Sequence, residues 1–171
     1  MVALVDFDID TLGVTQWVHD NRQAPGMWVY GARGSGSTTL SKLIRGMLGD
    51  EYDAKRIRAA EISKRIKVQW GRENLLRSHP DDHALWDEWD TEDRRMAALW
   101  DAPLLSIDDL YANVNVEFWV KFNIVDDIDT RLKSGKLTLV SGSVPPTIFG
   151  SSWGRAFSKQ FAVLEVPDGT W

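Results

Sequence analysis

The chain has no cysteine, which excludes disulfides and thiolate metal sites and agrees with a reducing compartment. No apolar run approaches the roughly 20 residues needed to cross a bilayer. The N-terminal run Met1-Val2-Ala3-Leu4-Val5-Asp6-Phe7-Asp8 has no basic residue ahead of its apolar ones, so a secretory signal is not expected. A cytoplasmic protein without a membrane partner is the expectation. A basic excess is missing as well. The net charge is -5 and the pI about 5.2, which rules out a globally basic nucleic-acid binder but leaves room for a local basic patch. Internal repeats, low-complexity tracts and linkers are also lacking. What is present is 171 residues, 43% hydrophobic and 26% charged, enough for one domain with a full core. Nine tryptophans is a high number for this length. Most suit core and interface packing, and one or two suit stacking on bases.

Short apolar runs alternate with amphipathic ones along the chain. Residues 1–10 read as an edge strand or arm and 11–21 as a helix with Thr11 as its N-cap. Met27–Tyr30 suits a buried parallel strand. A helix is expected from Ser37 to Leu48, ended by Gly49-Asp50, then a strand over Lys55–Ala60 and a helix from Glu61 to Trp70. Residues 71–80 read as a polar connection and 82–99 as a charged helix. Strands at 103–110, 137–140 and 161–166 and helices at 115–134 and 151–159 complete the pattern. The order implies an α/β fold, a mostly parallel sheet between helices, with 1–10 as an arm and 11–171 as a single domain.

The most informative stretch is Trp28-Val29-Tyr30-Gly31-Ala32-Arg33-Gly34-Ser35-Gly36-Ser37-Thr38-Thr39. A strand passes through a glycine-rich turn into a helix, the layout of the phosphate-binding loop G-x-x-x-x-G-K-[ST]. Glycines let successive backbone N–H groups face phosphate oxygens, and the helix N-terminus adds a favourable dipole. The loop residues from Gly31 through Arg33, Gly34, Ser35, Gly36, Ser37, Thr38 and Thr39 are therefore candidate nucleotide ligands. Thr38 stands where a hydroxyl would meet Mg²⁺. The lysine that would reach the outer phosphates is absent; Ser37 takes its place and is short and uncharged.

Some 70 residues downstream, the apolar strand Pro103–Ile107 ends in Asp108-Asp109. An acid pair at a strand end is what a Walker B motif requires. Asp108 is expected to hold the metal and Asp109 to orient or deprotonate the attacking water. A third strand, Leu137–Val140, runs into Ser141-Gly142-Ser143, where a polar residue would lie between the two motifs. Charge is segregated. Residues 55–77 carry eight Lys or Arg against two Glu, and residues 81–101 carry eight acids against two Arg. These runs read either as two solvated helix faces that offset each other or as a single-stranded-DNA contact. In the second case Lys64, Arg65, Lys67 and Arg72 track the backbone and Trp70 stacks on a base.

Three segments together carry a family resemblance: Trp28–Leu40, Ala102–Leu110, and the run Asp127-Ile128-Asp129-Thr130-Arg131-Leu132-Lys133 that continues through Ser141-Gly142-Ser143-Val144-Pro145-Pro146. The chain resembles the AAA+ module of the bacterial helicase loaders (DnaC type) and transposition-helper ATPases (IstB type), from about Thr11 to Val166. The resemblance implies a P-loop ATPase core that binds ATP or ADP with Mg²⁺. It implies partners in DNA replication or mobile-element transactions, a replicative helicase among them. Ser143 falls at the family's sensor asparagine. Gly154-Arg155-Ala156-Phe157-Ser158-Lys159 is the nearest match to its arginine motif. By resemblance, Arg155 would reach a nucleotide on a neighbouring copy in a homo-oligomer.

Ser37, Ser143 and Lys159 each depart from the family pattern, and each departure weakens contact with the γ-phosphate. Losing one such donor typically lowers the rate about 10²–10³-fold, so impaired or absent hydrolysis is expected. The loaders carry a separate N-terminal helicase-binding segment, whereas about ten residues precede the first expected helix here. A compact core of this kind suits a phage or mobile-element version. Two rival readings are a pseudo-ATPase that docks partners through the acidic segment with Trp86, Trp89 and Trp100, and a small-molecule kinase.

Overall fold

The computed structural model describes residues 25–32, 35, 37–110, 118–149 and 156–167. Among the described residues five strands form at the apolar runs: β1 (Gly26–Tyr30), β2 (Lys55–Arg58), β3 (Leu104–Leu110), β4 (Leu137–Gly142) and β5 (Phe161–Glu165). The helices between them are α1 (Ser37–Tyr52), α2 (Ala59–Ser78), α3 (His83–Asp101) and α4 (Phe118–Lys133), with a 3₁₀ turn at Pro146–Phe149. The sheet order is β2-β3-β4-β1-β5 and each pairing is parallel. β4 thus lies between the strand that enters the glycine-rich turn and the strand that ends in the acid pair.

Strand alternation sorts the core into two layers. Met27 and Val29 of β1, with Leu104, Leu137 and Leu139, pack beneath Leu40, Ile44 and Leu48 of α1. Trp28, Leu105, Ile107 and Val140 face the other way, onto Ile62 of α2 and Ile124 and Ile128 of α4. Trp28 is fully buried and makes edge-to-face contacts with Phe157 and Phe161. Its indole N–H donates to Val144 O at 2.9 Å, which anchors the turn after β4.

Arg131 closes the far end of the sheet. Its guanidinium is buried and donates to the carbonyls of Trp100, Ala102 (2.9 Å) and Leu137 (2.9 Å), and to Thr138 Oγ1 at 3.3 Å. One side chain thereby ties the end of α3 to the start of β4. Burial lowers its pKa to about 10, against the opposing pull of Asp101, so it stays charged at neutral pH.

Several boundaries differ from expectation. α1 continues through Gly49-Asp50 to Tyr52, and β2 yields to helix already at Ala59. The stretch 71–78 is not a connection but the last two turns of α2. Gly71 sits there with open space where a Cβ would be, so its local cost is the only penalty and the helix runs on. Of the helix expected at 151–159, residues 156–158 are helical and 151–155 lie outside the described residues. The arm at 1–10 and the helix at 11–21 also lie outside them. Asp82 caps α3, accepting from Leu85 N at 3.1 Å.

Candidate functional site

The C-terminal ends of β1, β3 and β4 converge on the first turn of α1. At Gly31 an added Cβ would stand 2.3 Å from Ser35 Oγ and 2.6 Å from Val166 O, so the backbone passes where only glycine fits. Ser35 N donates to Ala32 O at 2.9 Å and closes a tight turn. Gly142 is constrained in the same way, since a Cβ there would meet Leu110 O at 2.5 Å. Close packing of β3 against β4 depends on it. Arg33, Gly34 and Gly36 lie outside the described residues. Ser37 is almost buried at the start of α1, Thr38 is half-buried and Thr39 is exposed.

Thr38 Oγ1 donates to Asp109 Oδ1 at 3.0 Å, joining the glycine-rich turn to the acid pair across 71 positions of sequence. Asp109 has a φ of +60° and its N–H donates to Ser141 Oγ at 3.3 Å. The register between β3 and β4 shifts at this point, between Ile107 and Leu110. A left-handed aspartate is uncommon and mildly strained. Here it turns the carboxylate back toward α1.

Asp108 is engaged differently. It is fully buried and accepts from Arg56 Nε at 2.5 Å, Ser106 Oγ at 3.1 Å and Ser41 Oγ at 3.5 Å. Chain order suggests Asp108 for the metal and Asp109 for the water. The contacts instead link Asp109 to the Thr38 hydroxyl and give Asp108 three protein partners. Sequence reasoning misses Arg56, Ser41 and Ser141 in this cluster. Ser41 lies one turn after Thr38 on α1, a spacing that marks it in retrospect. Arg56 is hidden within the basic run until the β2–β3 register sets it opposite Ser106.

A phosphate-bearing ligand with a hard cation fits what is present. The Ser35 hydroxyl is buried without a partner beside the turn. α1 has no acid in its first turn to offset its positive end. Thr38 and Asp109 offer oxygen donors only, as Mg²⁺ prefers. Among the described residues no cluster of three or more His, Cys, Asp or Glu forms. A cation here would therefore rely on Thr38, Asp109 and the ligand's own phosphate oxygens.

The other expected site residues are dispersed. Ser143 is exposed, just beyond β4 and next to the Val144 carbonyl that Trp28 holds. Lys159 is exposed in the turn before β5, and Arg155 lies outside the described residues. Two cations of the basic run, Arg65 and Arg72, pair with acids of the 81–101 run, and others pair within their own helix. Arg65 pairs with Glu61 at 2.8 Å and Glu92 at 3.0 Å, Arg72 with Glu88 at 3.3 Å, and Arg77 with Glu73 at 2.8 Å. Lys64 and Lys67 are exposed on α2 and Trp70 is 44% exposed.

Among the described residues the five parallel strands, with helices on both faces, form an α/β fold of the AAA+-like P-loop NTPase type. The sequence matches no protein-family model and no curated protein. Among solved structures, the DnaC helicase loader is similar over 93% of this chain and 89% of its own, at 14% identity and a TM-score of 0.59. DnaI is similar over 96% of this chain and 88% of its own, at 17% identity and a TM-score of 0.58. The replication initiator DnaA, bound to AMPPCP and single-stranded DNA, is similar over 96% of this chain at 12% identity and a TM-score of 0.60. This chain spans 47% of that DnaA chain. At these identities the likeness is one of fold. Among the described residues no helix is long and apolar enough to cross a membrane.

Proposed function

We propose that the chain is an adenine-nucleotide-binding, AAA+-like protein of the helicase-loader and initiator type, acting in DNA replication or mobile-element DNA transactions in the cytoplasm. The observation that carries this is the Thr38–Asp109 contact at the head of α1, the junction where a P-loop NTPase holds its metal and phosphates. The nucleotide is ATP or ADP with Mg²⁺, held by the 31–39 turn. Thr38 and Asp109 are the metal-facing pair, Ser143 is the group offered to the γ-phosphate, and Arg155 is the one that would reach the nucleotide of a neighbouring copy in a homo-oligomer. The fold neighbours include a protein bound to a nucleotide analogue and a helicase loader, which supports that class of ligand and partner. With Ser37 in place of lysine, Ser143 in place of asparagine and Lys159 in place of arginine, hydrolysis is weak or absent. The test is thermal unfolding with ATP and ADP, each with and without Mg²⁺. Either nucleotide should raise the melting temperature and Mg²⁺ should enlarge the shift. No shift with any combination overturns the reading.

A second reading has its own support: a pseudo-ATPase whose business is docking. α3 carries the acidic run and contains no buried residue. Trp86 is 44% exposed and stacks edge-to-face with Trp89. Partner capture that survives complete nucleotide removal and Asp109→Asn favours this reading over the first. The DNA contact is the weaker half of the proposal, because acids of α2 and α3 already pair Arg65, Arg72 and Arg77. It predicts single-stranded-DNA binding that falls steeply with salt and is lost on replacing Lys64 and Lys67.

A further inference from the structure

A cleft of about 300 Å³ lies where α2, α3 and α4 meet, apart from the glycine-rich turn and the acid pair. Trp70, Met96 and Trp100 line its apolar part, and Gln69, Asp93 and Asp127 supply its polar groups. Gln69 is the unusual member. Both its Oε1 and its Nε2 are shielded from solvent and have no hydrogen-bond partner. A buried amide left unmade at both ends is a standing penalty, and native structures rarely keep one without a reason.

The charges around it are unbalanced in one direction. Arg65 reaches the cleft, but Glu61 and Glu92 already engage it. Among the described residues Asp93 and Asp127 have no ion pair, which leaves the cleft acidic. Burial, aided by the neighbouring Asp126, pushes the Asp127 carboxyl up to about 6, as expected of an acid with no compensating cation. The surroundings extend the same sign, since the 81–101 run carries eight acids against two arginines.

We propose that this cleft is a receptor for an arginine side chain presented by a partner protein. A guanidinium is planar, weakly hydrated and rich in donors, so it suits apolar walls that include two tryptophans and an acceptor at Asp127, and on entry it would displace the side chains that shield Gln69 Oε1 and supply the missing donor there. An ammonium is more strongly hydrated and fits such walls less well. Arginine has no acceptor for the Gln69 Nε2–H group. A backbone carbonyl beside the arginine supplies one, which is why the ligand is a residue within a peptide rather than a free ion. The acidic face of α3 would steer a basic segment toward the cleft. This assignment does not depend on nucleotide binding.

The experiment is an NMR titration of the isotope-labelled chain with a short capped peptide holding one arginine between glycines. The signals to follow are the Gln69 side-chain amide and the Trp100 indole. Both should move saturably with weak affinity, and a matched lysine peptide should bind several-fold less well. Gln69→Leu and Asp127→Asn should each weaken binding about tenfold, the equivalent of one hydrogen bond to a charged group. Each variant removes an unmet polar or charged group, so both should fold, and the melting temperature checks it. Signals that stay still at saturating peptide overturn the proposal. So do a lysine peptide that binds as well, or folded variants that bind as tightly as the parent.

Discussion

The two acids at the end of β3 should separate cleanly when each is changed to its amide. Asp109→Asn keeps an oxygen for Thr38 Oγ1, which now donates at 3.0 Å, and asparagine tolerates the +60° φ as readily as aspartate. Its stability should stay within about 0.5 kcal/mol of the parent. Asp108→Asn is different, because that carboxylate is buried and accepts from Arg56, Ser106 and Ser41. An amide there loses the charge that Arg56 meets and turns an N–H₂ group toward existing donors. Breaking a buried pair costs roughly 3–5 kcal/mol. Arg56 is 40% exposed and can turn to water, which lowers the expected loss to about 2 kcal/mol. For a chain of this size that is a melting-temperature drop of roughly 4–8 °C.

Nucleotide response should run the opposite way. Asp109→Asn should weaken the Mg²⁺-dependent part of ATP binding by about ten- to a hundredfold, as when a group that orients a metal is lost. Asp108→Asn should retain Mg²⁺ dependence at temperatures where it is folded. Thermal unfolding and a binding titration, each with and without Mg²⁺, read both effects. The assignment of roles is refuted if Asp108→Asn is stable yet blind to Mg²⁺ while Asp109→Asn responds like the parent.

Arg131→Met should destabilise the fold by about 3–5 kcal/mol, because buried carbonyls of Trp100, Ala102 and Leu137 lose their donor; chemical denaturation measures it. Arg131→Lys should recover only part of that loss, since an ammonium cannot reproduce the fork. Asp127, raised from 3.8 to about 6, gives a pH signature. Between those values the folded state holds a proton that the unfolded chain has released, so this group's contribution to stability falls as pH rises from about 4 to about 6. The full shift corresponds to about 3 kcal/mol; partial exposure and screening reduce it to about 1–2 kcal/mol. The groups near it are Asp126 on α4, Arg65 on α2, and Glu92 and Asp93 on α3. Asp127→Asn should therefore match the parent near pH 4 and melt higher near pH 8, and equal melting temperatures at both pH values would count against an uncompensated acid.

The sheet is legible in the sequence because each strand is a short apolar run and each layer follows from alternation. Met27 and Val29 face α1, while Trp28 faces α2 and α4. The glycine-rich turn and the acid pair are legible because their residue types stand at the spacing of a known motif. The second half of α2 is not, because past Trp70 only Leu76 is buried and no apolar period marks the helix. The difference in contacts between Asp108 and Asp109 is hidden for another reason. It depends on a left-handed backbone at Asp109 and on a β2–β3 register that brings Arg56 to Asp108, and neither follows from local composition. The opposed charge runs are visible, but their mutual pairing through Arg65–Glu92 and Arg72–Glu88 needs α2 and α3 side by side.

The central claim is a nucleotide site that kept its shape and lost its lysine. Calorimetric titration of ATP and ADP with Mg²⁺ into the parent chain and into Ser37→Lys tests it most directly. The account predicts saturable one-site binding to the parent and tighter ATP binding to Ser37→Lys, with ATPase activity rising in the variant. No binding heat from either nucleotide in either protein, with both folded, would contradict it.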